Sequence, residues 1–346
     1  MGVNLSAIIT AENLLLEDLE NKVIAIDAYN AIYQFLSIIR GPDGTPLKDA
    51  TGRVTSHLTG LLYRNVNLLE AGIKPIYVFD GVPHELKSQT LAERSERRVK
   101  AHQEWKEAIS EGDIERARCK ATQSSRMTNE IAESSRILLT YLGIPVVQAP
   151  EEGEAQAAYM ASNGEAWAAS SQDFDSLLFG APRLVRNLNI SGRRKLPGSR
   201  GYKDINIEFI ELSKVLEENE LQSREQLVDL AILVGTDYNP GIRGIGPKRG
   251  LKLIQKHGDL QSALDAINED IPQAECIQKI FLDSEKIEVS GLEWNEPDRD
   301  KIIDYLSRDH GFSKNRVTSA LDRLKSKKRD NKSKQSGSQV SLDRWV

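Results

Sequence analysis

Four short apolar runs punctuate the 346 residues, each continuous rather than alternating and each followed by acids, and a fifth strand is expected near Arg183 to Arg186. Val23 to Ile26 runs into Asp27, and Ile76 to Phe79 runs into Asp80. Ile144 to Val147 precedes Glu152 and Glu154, and Ala166 to Ala169 precedes Asp173 and Asp175. A run that is apolar at every position suits a strand covered on both faces, as parallel strands are. Helical patterns lie between the runs, as at Ser56 to Glu70 and at Asn129 to Leu142, where Gly143 reads as the stop. The alternation implies an α/β fold with a central, mostly parallel sheet and helices on both faces.

Two regions depart from that rhythm. Leu86 to Arg136 is charged and poor in strand formers, which predicts a helical insertion projecting from the sheet. Further on, Ser223 and Gln226 form a capping box for a helix over Arg224 to Val234. A glycine-rich turn then leads to Pro247, suited to the first position of a second helix that stops before Gly258. Beyond Lys325 the chain is rich in Lys, Ser, Gln and Asn, which predicts disorder.

In an open α/β sheet, ligands bind outside the carboxyl ends of the strands. Four strands therefore deliver acids to one edge, and Asp237, at the end of the capped helix, is a further candidate. Asp27, Asp80, Glu152, Glu154, Asp173, Asp175 and Asp237 cannot all stay ionised close together without positive charge. An all-oxygen set favours Mg²⁺ or Mn²⁺ over zinc. Seven carboxylates exceed what one Mg²⁺ needs, so the expectation is two ions acting on a phosphodiester. A single Asp after a strand is more often a turn or cap residue; the convergence of several argues for function.

The cations near these acids allow two readings. Lys87, Arg94 and Arg98 share one helical face and could orient a phosphate, or the segment could be a solvated helix with pairs such as Glu93 with Arg97. Gly244, Gly246, Lys248 and Arg249 could bind a duplex backbone from a helix N-terminus, or form a tight helix-helix connection. Tyr33 could be a core aromatic or stack on a base. The five histidines show no ligand spacing and read as surface or capping residues.

The formal net charge of −5 taken alone argues against a nucleic-acid partner, but residues 323–334 hold seven cations against one acid. The remainder is therefore more acidic than the whole, as a metal site requires. No apolar stretch reaches the roughly 18 to 20 residues of a membrane span. Cys119 and Cys276 allow at most one disulfide, which fits a reducing compartment. The first basic residue is Lys22, so no signal-peptide pattern is expected; Met1-Gly2 with Ser6 matches a myristoylation pattern, but no basic patch follows it.

Taken in order, the segments Ala25-Ile-Asp27, Tyr77-Val-Phe-Asp80-Gly, Leu86-Lys87-Ser, Arg94-Ser-Glu-Arg97-Arg98, Ala149-Pro-Glu-Glu152-Gly-Glu154, Asp173-Phe-Asp175, Gly235-Thr-Asp237 and Gly244-Ile-Gly-Pro-Lys-Arg249 resemble the flap endonucleases of the XPG family. The resemblance spans essentially the whole chain. It implies a PIN-like 5′-nuclease fold with a helical arch and a helix-hairpin-helix. It also implies two Mg²⁺ on the seven acids, with Mn²⁺ substituting, Lys87 and Arg94 on the scissile phosphate, and Tyr33 on a displaced base. Arg40, Arg64, Arg97, Arg98, Glu152, Gly235 and Asp237 match DNA-contacting positions, and Gly2 becomes N-terminal after Met removal.

The implied substrate is branched DNA with a 5′ flap, cut endonucleolytically with an accompanying 5′–3′ exonuclease activity, in Okazaki-fragment maturation and long-patch base excision repair. The implied divisions are an N-terminal nuclease region at 1–99, part of the arch at 100–116, and an internal nuclease region at 117–258 with its helix-hairpin-helix at about 223–258. A helical region follows at 259–324, then a basic linker at 325–338. The last eight residues, 339–346, resemble a sliding-clamp (PCNA) motif through Gln339, Leu342 and Trp345. Val346 stands where a second aromatic is usual, which implies weaker clamp binding. A monomeric, intracellular protein of archaeal type is implied, nuclear if eukaryotic. A single-strand ribonuclease and a catalytically silent clamp-tethered scaffold are the rival readings.

Overall fold

The computed structural model describes residues 2–41, 43–190, 192–195 and 202–324. The basic linker and the clamp-like motif at 325–346 lie outside the described residues.

The strands are β1 (Glu12–Leu14), β2 (Val23–Asp27), β3 (Lys74–Phe79), β4 (Val146–Gln148), β5 (Ala168–Ser170), β6 (Arg183–Arg186), β7 (Gly192–Lys195), β8 (Tyr202–Ile205) and β9 (Ile207–Glu211). Seven of them form one sheet in the order β1-β9-β6-β5-β2-β3-β4, and β7 pairs with β8 apart from it. From β6 to β4 every pairing is parallel; β9 and β1 add two antiparallel strands at the other edge. The mostly parallel sheet is therefore as the apolar runs predict. The short strands β1 and β9 escaped notice because neither is a continuous apolar run.

The helices are α1 (Ala28–Ile38), α2 (Ser56–Glu70), α3 (Ser88–Ser110), α4 (Ile114–Gln123), α5 (Asn129–Tyr141), α6 (Gly153–Ser162), α7 (Asp175–Leu178), α8 (Leu212–Glu218), α9 (Arg224–Val234), α10 (Pro247–His257), α11 (Leu260–Ile267), α12 (Ala274–Asp283) and α13 (Arg299–Ile303). A last helix occupies 314–324. Side chains alternate across each strand, so the sheet feeds two cores. Ala25, Ile76 and Val78 join Leu177, Leu230 and Ile254 beneath α6, α7 and the α9–α10 pair. Ile24, Ile26, Tyr77 and Phe79 join Ile32, Leu61, Leu138 and Leu306 on the opposite face.

The predicted insertion is shorter than expected. Its helices α3 and α4 bury only Ala101, Ala108, Ala117 and Ala121, whereas α5 buries Ile131, Leu138 and Leu139 against the sheet. The charged composition ends near 128, and the apolar periodicity of α5 marks the return to the core.

The capping box did not form. Ser223 makes no side-chain cap to its helix, and Gln226 instead accepts the Gln222 N–H at 2.8 Å. The two cysteines are exposed and unbonded. Two histidines are not surface residues. His57 is buried with Nε2 2.7 Å from Ser134 Oγ, and His310 packs edge-on against Tyr305. His57 meets Ser134 across 77 positions and His310 Nδ1 lies 3.6 Å from Asp49, so local pattern could not reveal their burial. Among the described residues no helix is long and apolar enough to cross a membrane.

Candidate metal and nucleic-acid site

Strands β4, β3, β2 and β5 are consecutive neighbours and run parallel, so their carboxyl ends lie side by side. Asp27 is the last residue of β2 and caps α1, accepting the Asn30 N–H at 3.0 Å. Asp80 follows β3, and its Oδ1 accepts the Gly153 N–H at 2.7 Å. A Cβ on residue 153 would stand 2.7 Å from that same oxygen, so the close approach requires glycine. Glu152 and Glu154 flank Gly153 where the chain after β4 enters α6.

Asp173 and Asp175 follow β5. Asp173 Oδ2 accepts from Asn30 Nδ2 at 3.3 Å, and its N–H donates to Ser171 Oγ at 3.2 Å. Ser171 also donates to Glu154. Asp175 opens α7 and accepts the Val3 N–H at 2.8 Å, which draws the N-terminal segment to the site. A Cβ on residue 2 would fall 2.3 Å from Asp175 Oδ1. Asp237 lies just beyond α9 and is buried like Asp27 and Asp175.

The seven acids interact as one group. Burial first, and then the neighbouring carboxylates, raise the affinity of several for protons. Asp80 is pushed up to about 6, with Glu152 its main like-charged neighbour. Asp175 is pushed up to about 7, with Asp173 and Asp237 beside it. Asp27 and Glu154 are raised well above the ordinary carboxylate range for the same reasons.

Two cations enter this group. Lys87 Nζ donates to Glu152 Oε2 at 2.5 Å and lies 3.7 Å from Asp237 Oδ2, while Arg94 Nη2 pairs with Asp237. Burial alone would lower the Lys87 ammonium, but Glu152, Asp237 and Asp80 outweigh it and keep it charged. Lys87 sits on a 3₁₀ turn, Glu85–Lys87, ahead of α3 rather than within the helix. Of the three cations predicted to share a face, Lys87 and Arg94 both reach Asp237. Arg98 lies over Tyr33, with the guanidinium carbon 5.6 Å from the ring centroid, and Arg97 is 79% exposed and 3.3 Å from Glu93.

The other predicted contact residues lie outside the acid cluster. Tyr33 is half-buried on α1. Arg40 donates to the Leu36 and Gly44 carbonyls and to Ser125 Oγ, which ties the end of α1 to the end of α4. Arg64 is half-buried on α2, and burial pushes its guanidinium down to about 10. Gly235 ends α9 with φ of 110°, and a Cβ there would stand 2.8 Å from the Pro240 carbonyl. Gly244 and Gly246 are exposed in the turn between α9 and α10, and Gly246 is the N-cap of α10. Lys248 and Arg249 project from the first turn of α10, exposed to solvent.

The acids fit hard divalent cations. Every donor is oxygen, Asp27, Glu154 and Asp175 resist ionising fully at neutral pH without a positive neighbour, and Glu152 Oε1 is buried without a hydrogen-bond partner. Among the described residues no group of three or more His, Cys, Asp or Glu is drawn together closely enough to hold a metal ion. Mg²⁺ keeps several waters and uses few protein ligands at a time. Asn30 and Ser171 were missed in the sequence. Asn30 carried a signal, since it lies one helical turn after Asp27, but Ser171 carried none.

Comparison with known proteins agrees with this fold. Residues 1–101 match the XPG N-terminal domain, and residues 143–237 match the XPG I-region. Flap endonuclease 1 of Pyrococcus furiosus is 50% identical over 346 residues, covering 100% of this chain and 99% of the relative. The Methanosarcina acetivorans enzyme is 47% identical, with complete coverage of both. Among solved structures, flap endonuclease-1 from Methanococcus jannaschii superposes with a TM-score of 0.74 at 39% identity, covering 95% of this chain and 100% of its own. The catalytic core of Rad2 in complex with a DNA substrate gives 0.68 at 25% identity, covering 91% and 96%. With half its residues shared over full length and its acids gathered on the expected sheet edge, the chain belongs to the flap endonucleases of the XPG nuclease family.

Proposed function

We infer that this flap endonuclease hydrolyses DNA phosphodiesters at the base of 5′ flaps, with the carboxylate edge as its reaction centre. The observation that carries this reading is the meeting of acids from four adjacent parallel strands with Lys87 and Arg94. Divalent ions bound there, two Mg²⁺ in our reading and Mn²⁺ as a substitute, would stabilise charge on the phosphoryl oxygens and acidify water. Asp27, Asp80, Glu152, Glu154, Asp173, Asp175 and Asp237 are the residues that would hold them.

The remaining work falls to this chain's own side chains. Lys87 and Arg94, already held at the acid edge, balance the charge of the scissile phosphate and orient it. The ring of Tyr33, braced by Arg98, offers a face on which a base displaced from the duplex can stack. The exposed turn at Gly244 and Gly246, with Lys248 and Arg249, fits a duplex backbone without reading bases. Arg40, Arg64, Arg97 and Gly235 are proposed as further DNA contacts, in keeping with the family resemblance. α3 and α4 are proposed as the arch that admits the single strand, within the regional divisions given above.

We also propose a monomer acting inside the cell on replication and repair intermediates, with Gln339, Leu342, Trp345 and Val346 as its sliding-clamp contact. The test is cleavage of an end-labelled 5′-flap duplex beside the same strand alone, with Mg²⁺ and with EDTA. The expected result is Mg²⁺-dependent cutting next to the junction. Equal cutting of the lone strand, or undiminished cutting in EDTA, would refute the assignment.

A further inference from the structure

We propose that Arg186 is a positioning residue for the metal site, acting through the segment that carries Asp173 and Asp175. The inference rests on the carboxylates being the metal site, as read above. Arg186 is the last residue of β6 and stands directly opposite Glu208 in the antiparallel ladder with β9. Its Nη1 donates to Glu208 Oε2 at 2.6 Å, which fixes the outer end of the guanidinium. Its Nε donates to the Gln172 carbonyl at 3.0 Å. The same guanidinium lies over the Phe174 ring, 4.2 Å from its centroid, and that ring is buried.

These contacts bracket Asp173. Residue 172 is held through its backbone and residue 174 through its ring, so the acid between them leaves a segment fixed on both sides. Asp175 follows Phe174 directly and inherits the same fixed start. The segment follows a three-residue strand, β5, and precedes a four-residue helix, α7, so regular structure gives it little independent rigidity. A planar guanidinium can stack on a ring and bridge two acceptors together; an ammonium cannot reproduce that arrangement. Partners that hold metal ligands in place typically change metal affinity by about 10- to 100-fold when removed.

The test compares full-length wild type with Arg186→Met, Arg186→Lys and Asp175→Asn, measuring Mn²⁺ binding by calorimetry and the Mg²⁺ midpoint of flap cleavage. In both Arg186 variants we expect Mn²⁺ to bind about tenfold more weakly or worse, and the Mg²⁺ midpoint to rise by a similar factor. A purely structural role would lower the melting temperature and leave Mn²⁺ affinity alone. Arg186→Met that melts cooperatively and binds Mn²⁺ like wild type overturns the proposal. Should Arg186→Met not fold, Arg186→Lys carries the same decision. Wild type that binds no Mn²⁺, or Asp175→Asn that binds it undiminished, would instead strike at the metal-site reading itself.

Discussion

Replacing Asp175 with Asn should stabilise the metal-free protein at pH 8 while abolishing flap cleavage. Asp175 is 5% exposed, and burial together with Asp173 and Asp237 raises its carboxyl from an ordinary 3.8 to about 7. In the unfolded chain it would ionise near 3.8. The folded state therefore holds this proton more tightly, and the stability it lends is complete at low pH and lost as pH rises through about 7. Roughly three pH units separate the two values, and each is worth about 1.4 kcal/mol, which sets a ceiling near 4 kcal/mol at pH 8.

Asparagine cannot ionise, and its carbonyl oxygen can still accept the Val3 N–H. The relief should therefore be on the order of a few kcal/mol at pH 8, or several degrees in melting temperature for a chain of this size. At pH 5 the folded Asp175 is neutral but the unfolded carboxyl is ionised, so the gain should fall to roughly 1 to 2 kcal/mol, and only below about 3.8 should it vanish. Calorimetry in EDTA at the two pH values, beside flap cleavage in Mg²⁺, checks both halves. A melting temperature unchanged at pH 8, or raised equally at pH 5, would refute the argument that Asp175 is a buried, repelled carboxylate.

Gly143→Ala should destabilise the protein by about 2 kcal/mol or more, read from its melting temperature. Gly143 has φ of 72°, and an added Cβ would stand 2.1 Å from the Asn295 carbonyl, whose own N–H donates to Gly143 O. Lys87→Met should lower cleavage at saturating Mg²⁺ by at least about 100-fold while leaving flap binding in Ca²⁺ largely intact. It removes the cation that pairs with Glu152. Cleavage within a few-fold of wild type would remove Lys87 from the reaction centre.

The edge acids were legible because parallel strands end in turns, and a buried strand announces itself as an unbroken apolar run. Asp27, Asp80, Glu152 and Asp173 could be placed at strand ends from order alone, since such a sheet puts every strand's carboxyl end on one side. Pro247 and Gly258 likewise marked α10 correctly, through the chemistry of helix ends. Sequence misjudged what depends on competing local partners: Gln226 turned to Gln222 instead of completing a box with Ser223.

The sequence by itself thus determined the layer architecture, the chemistry of the donors and their delivery to one edge, because these follow from periodicity and chain direction. Tertiary structure decided which strands became neighbours, β4-β3-β2-β5, and so which carboxylates repel one another strongly enough to hold protons near neutral pH. It also decided that Lys87 reaches Glu152 across 65 positions of sequence. Arg98 turned to Tyr33, and Arg186 braced Phe174 from the next strand. The physical reason is range: propensity and patterning act over a few residues, whereas burial, charge coupling and side-chain bracing act between segments that only the folded chain brings together.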